Sequence, residues 1–250
     1  MSRIFLPVRA VCEIISRPVY YRDPQYNEVI AGVLRTCQNP CVVAGSSIID
    51  PVCLQVLDLH RDALLEKLAE GNPTEAIVDS LFDDPDLEPE VRYDYVTAVN
   101  KLRGFFKERP IMSRFGLRPA GNLIVKEFEE GFIMRGRLDS TTKEGHPVEI
   151  KSRSKQMYVT IPRNEYIQCQ LYCAITDTPC CLFIQEFRGQ CRSTRVERNE
   201  AHLTEIIDNV VALSEALRQM IETDADATLD HLPEFQWGLP KFVKKMWSVV

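Results

Sequence analysis

The chain has 250 residues, 45% of them apolar, and a formal net charge of −6. That composition supports a sizeable core and argues against disorder, and no run of about 18 apolar residues exists to span a bilayer. The opening residues carry no sustained apolar leader, so the expectation is an intracellular protein, cytoplasmic or nuclear, neither secreted nor bound to a membrane. The nine cysteines are odd in number and form no CxxC pair. They read as reduced, buried thiols rather than as disulfides or zinc ligands.

Charge is unevenly placed. Residues 1–100 hold 8 Lys and Arg against 16 Asp and Glu, residues 101–200 hold 18 against 12, and residues 201–250 hold 4 against 8. A basic middle in an acidic chain points to an anionic partner for that middle.

In chain order, residues 27–36 suggest a short helix. Residues 51–70 form a clearer one, with Pro51 in its first turn and Gly71-Asn72-Pro73 as its stop. A second helix is predicted over 73–82, then an acidic, proline-bearing loop at 83–90 that marks a boundary. A third helix runs from Glu90 to about Lys107, with Pro110 as its expected end. From Leu123 the apolar period becomes two. Strands are predicted over 123–129, 132–139 and 147–152, joined by the Glu130-Gly131 and Lys143-Glu144-Gly145 turns, which implies an antiparallel meander. A helix over 164–175 follows, with Asn164 as its expected cap. Strands over 180–187 and 191–197 and a long amphipathic helix over 200–223 come next. The tail carries Trp237, Trp247 and a Lys241/Lys244/Lys245 cluster. The expected organisation is a mainly helical region at 1–89, a mixed α/β core at 90–225 and a tail at 226–250 packing on that core. The core is expected to be a central mixed sheet with an antiparallel meander, flanked by helices.

The chemistry gathers between Gly136 and Tyr172. Side chains alternate along a strand, so Glu149 and Lys151 share a face while Ile150 faces away. Asp139 ends the preceding strand, and the intervening turn allows it to approach Glu149. Two carboxylates at one spot repel unless a cation binds between them. Hard oxygen ligands suit Mg²⁺ or Mn²⁺, and the Ile150 carbonyl is a further candidate ligand. Such an ion activates water and stabilises charge on a phosphate, and a neighbouring lysine orients or deprotonates the water or neutralises the transition state.

Gly136-Arg137-Leu138-Asp139, then Val148-Glu149-Ile150-Lys151, then Gln168 and Tyr172 one helical turn apart, resemble the PD-(D/E)XK nuclease superfamily. The resemblance is to its RecB-like and lambda exonuclease (YqaJ)-like branch. It covers residues 120–190, and the order of elements extends it to 90–198. It implies a restriction-endonuclease-like core in which Asp139 and Glu149 bind metal, Lys151 acts on water, and Gln168 and Tyr172 hold the active site or the substrate strand. The implied function is a Mg²⁺- or Mn²⁺-dependent DNA exonuclease of recombination, repair or replication type. The alternatives are a non-catalytic nucleic-acid-binding module with this fold, or an endonuclease acting on DNA or RNA. The family adds an acid or a histidine from an earlier helix, for which His60, Glu66, Glu70 and Asp94 are the candidates, His60 foremost. Arg137, Arg153, Lys155 and Arg163 flank the motif as candidate phosphate contacts. Tyr158 and Tyr166 are candidate base-stacking residues.

Overall fold

In a computed structural model of the chain, the described residues are 4–16, 29–35, 51–82, 88–120, 123–153, 155–223, 232–233, 235, 237 and 242–243. Strand β1 (Ile4–Pro7) runs directly into helix α1 (Val8–Ile15), and helix α2 covers 29–35. Helices α3 (Pro51–Ala69), α4 (Thr74–Leu81) and α5 (Pro89–Phe115) precede β2 (Arg118–Pro119), β3 (Leu123–Glu127), β4 (Phe132–Arg137), β5 (Ser140–Thr141) and β6 (Pro147–Ser152). Then come β7 (Ile161–Pro162), α6 (Arg163–Thr176), β8 (Cys180–Phe187), β9 (Gln190–Glu197), α7 (Glu200–Thr223) and β10 (Phe242–Val243). Expectations for the Cys37–Cys41 pair and the Lys241/Lys244/Lys245 cluster lie outside the described residues. Among the described residues, no helix is long and apolar enough to cross a membrane.

The fold is mixed α/β with helices flanking mixed sheets. A five-stranded sheet has the order β2-β5-β6-β8-β9, with β6 and β8 parallel and its other pairs antiparallel. A three-stranded sheet has the order β1-β4-β3, with β1 parallel to β4. The meander therefore exists as two hairpins, β3–β4 and β5–β6, broken at Leu138-Asp139. Leu138 is buried at that break, which turns the chain out of one sheet and into the other.

Alternation along β6 and β8 gives the larger sheet two apolar faces. Val148, Ile150 and Ile184 pack with Ile111 and, partly buried, Met112 and Phe115 of α5. Phe183, Cys181 and Val196 face the main core, which includes α6, α7, α1 and β4. Residues 4–15, placed by sequence in the N-terminal region, are part of this main core. The N-terminal half of α5 packs instead with α3 and α4 in a separate cluster.

Pro110 does not end α5, which continues to Phe115. The last turns gain the contacts of Ile111 and Phe115 with the sheet, which outweigh one lost backbone hydrogen bond. The stop comes at Gly116, whose left-handed φ of 60° closes the helix with Leu117 N donating to Met112 O at 2.9 Å and Gly116 N to Ser113 O at 3.2 Å. Helix α6 begins at Arg163 after Pro162, so Asn164 is its second residue and not its cap. The seven described cysteines are buried free thiols. Burial pushes Cys12 and Cys181 well above the usual thiol range and Cys173 to about 12, so they stay protonated and inert.

Helix α6 crosses β4 closely at Gly136. A Cβ there would lie 2.9 Å from Tyr172 Cε1 and 3.1 Å from both Ile175 Cδ1 and Val8 Cγ2. Gly136→Ala is expected to lower stability by about 1–3 kcal/mol through overpacking. Urea unfolding measures it, and an unchanged midpoint would show that α6 does not approach β4 this closely.

Candidate active site

Helix α6 is buried along its whole apolar and polar length from Glu165 to Ile175. It lies over the face of β6 that carries Glu149 and Lys151. Glu149 is 2% exposed, and its Oε1 is 2.5 Å from Lys151 Nζ. Lys151 Nζ also donates to Gln168 Oε1 at 3.2 Å. With its oxygen so engaged, Gln168 turns its Nε2 to Tyr172 OH at 3.0 Å, one helical turn on. Tyr172 OH in turn donates to Arg137 O at 2.9 Å. The chain of contacts runs from the lysine on β6, through α6, to the end of β4. Tyr172 thus holds the strand that delivers Asp139. Burial raises its phenol well above the usual range, so the hydroxyl remains a donor.

Asp139 sits in the break after β4, and its Oδ2 accepts from Ile150 N at 2.7 Å. That bond ties Asp139 to the peptide following Glu149. It also shows what Ile150 does directly: its N–H positions a carboxylate, while its side chain packs against α5. Glu149 Oε2 is buried with no hydrogen-bond partner. A buried carboxylate oxygen left in this way is costly unless something positive meets it.

The electrostatics agree. Burial raises Glu149 to about 7, the charge of Asp139 adds to the rise, and Lys151 opposes it. Burial raises Asp139 to about 6, the Ile150 N–H opposes this, and Glu108 adds to it. Burial also works against the charge of Lys151, but Glu149, Glu165 and Asp139 outweigh it and hold its pKa above the usual value.

Glu108 of α5 is not among the helix-borne acids read from the sequence, and it bears on the pair. Its pKa is raised by burial and then by the charge of Glu149, which puts it in the field of the site. The expected end of α5 near Lys107 stops one residue short of it, and the helix closes only at Gly116. His60 belongs elsewhere. It stands at the kink of α3, edge-on to Phe82 at 4.7 Å between ring centroids, in the separate α3–α4–α5 cluster. The aromatic contact there explains its place without a metal. Arg9 of α1 is a second addition, since its charge lowers the pKa of Asp139.

Among the expected phosphate contacts, Arg137 and Lys155 are exposed. Arg163 lies 5.5 Å from the Trp237 ring centroid. Arg153 departs from expectation, because its guanidinium is bound internally by Glu165 at 2.7 and 2.5 Å and by Gln185 at 2.8 Å.

Among the described residues, no three His, Cys, Asp or Glu side chains come together as a complete metal cage. Two carboxylates with one orphaned oxygen instead suit an ion that keeps several waters, which is the behaviour of Mg²⁺.

No protein-family model matches the chain, and no curated protein matches it. Among solved structures, it is similar to the crystal structure of an alkaline exonuclease (LHK-Exo) from Laribacter hongkongensis. That match has 17% identity over 89% of this chain and 92% of that one, with a TM-score of 0.46. LHK-Exo in complex with dAMP matches at 18% identity over 87% and 90%, with a TM-score of 0.46. The crystal structure of SSO0001 matches at 13% identity over 66% and 92%, with a TM-score of 0.40.

The raised pair sets a sign for stability. Folded values of about 6 and about 7 exceed the ordinary carboxylate values near 4, so the folded state binds more protons between those limits. The pair therefore costs little below pH 4 and destabilises progressively as pH rises through 7. Asp139→Asn keeps an acceptor for Ile150 N and removes one charge. It is expected to raise the melting temperature by a few degrees at pH 8 without divalent ions, and not at pH 4. Mg²⁺ should stabilise the unaltered protein at pH 8 more than at pH 5. Equal Mg²⁺ shifts in both proteins at both pH values would rule out the pair as the binding place.

Proposed function

We propose that this chain is a metal-dependent nuclease that hydrolyses phosphodiester bonds, and that it acts as a DNA exonuclease in recombination, repair or replication. The observation that supports this reading is the pairing of half-buried Asp139 with buried Glu149 beside Lys151, with Glu149 Oε2 left without a partner. Such an arrangement is unfavourable as structure and useful as a site. The exonuclease reading is supported by the resemblance of the Gln168–Tyr172 helix to those of RecB-type and lambda-type exonucleases. Two oxygen donors of this hardness fit Mg²⁺ or Mn²⁺, with Glu108 the helix-borne acid best placed to assist.

A bound divalent cation would supply a water of lowered pKa and a Lewis acid for the phosphate. The remaining work falls to the chain. Asp139 and Glu149 must lose their protons to act as ligands, so activity rises with pH through about 6 to 7. Lys151, held protonated by its carboxylate neighbours, is a fixed positive charge and not a base. It neutralises charge developing on the phosphate. Gln168 fixes where that charge points, and Tyr172 fixes the strand that carries Asp139.

With Mg²⁺, the protein is expected to degrade linear DNA and spare covalently closed circles. Glu149→Gln and Lys151→Ala should each reduce the rate by at least about a hundredfold. Tyr172→Phe, which keeps the ring and loses the Arg137 contact, should reduce it less. Gel assays on the two DNA forms decide it. Nicked circles would make the enzyme an endonuclease, and unchanged cleavage by Glu149→Gln would overturn the assignment.

A further inference from the structure

Residues 155–160 lead from β6 into β7 as a loop, and buried polar side chains converge beneath it. Gln185 is fully buried. It accepts from Tyr158 N at 3.1 Å and donates to Tyr158 O at 3.0 Å, engaging both backbone groups as a neighbouring strand would. Arg153 Nε donates to the same Gln185 oxygen, and its terminal nitrogens hold Glu165 in a two-bonded fork. The Arg153 guanidinium also lies 4.6 Å from the Tyr158 ring centroid.

A buried Arg–Glu pair gains little stability by itself. Here it places a guanidinium against one aromatic ring whose backbone Gln185 anchors. That ring is not core, since Tyr158 is 37% exposed and Val159 beside it is 66% exposed. Its position is also fixed relative to the chemistry. Gln185 and Lys151 are register partners on parallel β8 and β6, so they share a sheet face, one strand spacing of about 4.8 Å apart. The loop's anchor is thus the neighbour of the lysine in the active site.

We propose that Tyr158 stacks on an unpaired nucleobase of the substrate strand at the rim of this site. The proposal rests on the nuclease reading for the identity of the ligand. A tyrosine backed by a guanidinium is one half of a planar stack, and a base supplies the other half. Stacking tolerates any base, which a degrading enzyme requires. Lys155, exposed in the same loop, can meet a phosphate of the stacked nucleotide.

The test separates binding from cleavage. Affinity for a single-stranded dT oligonucleotide is measured by fluorescence anisotropy with the Glu149→Gln protein and Mg²⁺. Adding Tyr158→Ala should weaken binding between about fivefold and a hundredfold, the range for losing one base stack. Tyr158→Phe and Tyr158→Trp should restore it, and melting temperatures should be unchanged. An abasic residue walked along the oligonucleotide should weaken binding at one position when Tyr158 is present, and the Tyr158→Ala protein should show no penalty at that position. Unchanged affinity in Tyr158→Ala, or an equal abasic penalty in both proteins, would overturn the proposal. A Tyr158→Ala change that alters sedimentation of the protein alone, with DNA affinity intact, would assign the loop to self-association and overturn it as well. The nuclease reading fails by a different result, namely linear DNA left intact by the unaltered protein.

Discussion

The interaction on which the rest depends is the contact of half-buried Lys151 with buried Glu149, held under α6. Removing two charges from water costs several kcal/mol each unless geometry and further hydrogen bonds compensate. Here the lysine has a carboxylate on one side and an amide oxygen on the other, so its charge is met. The carboxylate is met on one oxygen only. That asymmetry sets the site apart from an ordinary internal ion pair such as Lys107–Glu186. There both carboxylate oxygens receive the ammonium, at 3.2 and 2.9 Å.

Helix α6 can serve the pair because β4 lets it come close. Gly136 has no side chain where Tyr172 and Ile175 press against the strand. The approach brings Tyr172 OH to the Arg137 carbonyl and Gln168 to Lys151. Two residues one turn apart on one helix thereby join two strands that belong to different sheets. The break at Leu138-Asp139 is what separates those sheets, and Asp139 is recovered for the site by its bond to the Ile150 N–H. Backbone geometry, more than side-chain choice, brings the acids together.

Much of this was legible in the sequence where the signal is local. The period-two run at 147–152, the buried helix from Arg163 and the strand pair around Arg188-Gly189 match their predicted places. So does the shared facing of Glu149 and Lys151. What was not legible depends on distant contacts. A strand of four residues, Ile4–Pro7, has no readable period, and its parallel pairing with β4 exists only once the core has formed. Pro110 is a sound helix-ending signal that lost to apolar contacts with a sheet formed further along the chain. With it went Glu108. His60, a candidate ligand by the family resemblance, stands edge-on to Phe82 in the α3–α4–α5 cluster.

Part of the positive charge in the basic middle of the chain is engaged within the protein. Among its described cations, Arg153 is held by Glu165, Lys107 by Glu186, Arg195 by Glu197, and Arg198 by Asp177 and Glu200. Lys126 and Arg114 donate to the backbone carbonyls of Ala174 and Gly189. Lys107 and Arg153 are engaged largely inside the protein, whereas Arg195 keeps 59% of its side chain exposed despite its pair. Arg137 and Lys155 stay exposed, and so does Arg9, which pairs with Glu13 and whose charge lowers the pKa of Asp139. Each phosphate that such cations neutralise would add to affinity and to its salt dependence. Beside Lys151 on one sheet face the structure places two other features: Glu149, with one carboxylate oxygen that has no hydrogen-bond partner, and Gln185, which binds both backbone groups of Tyr158.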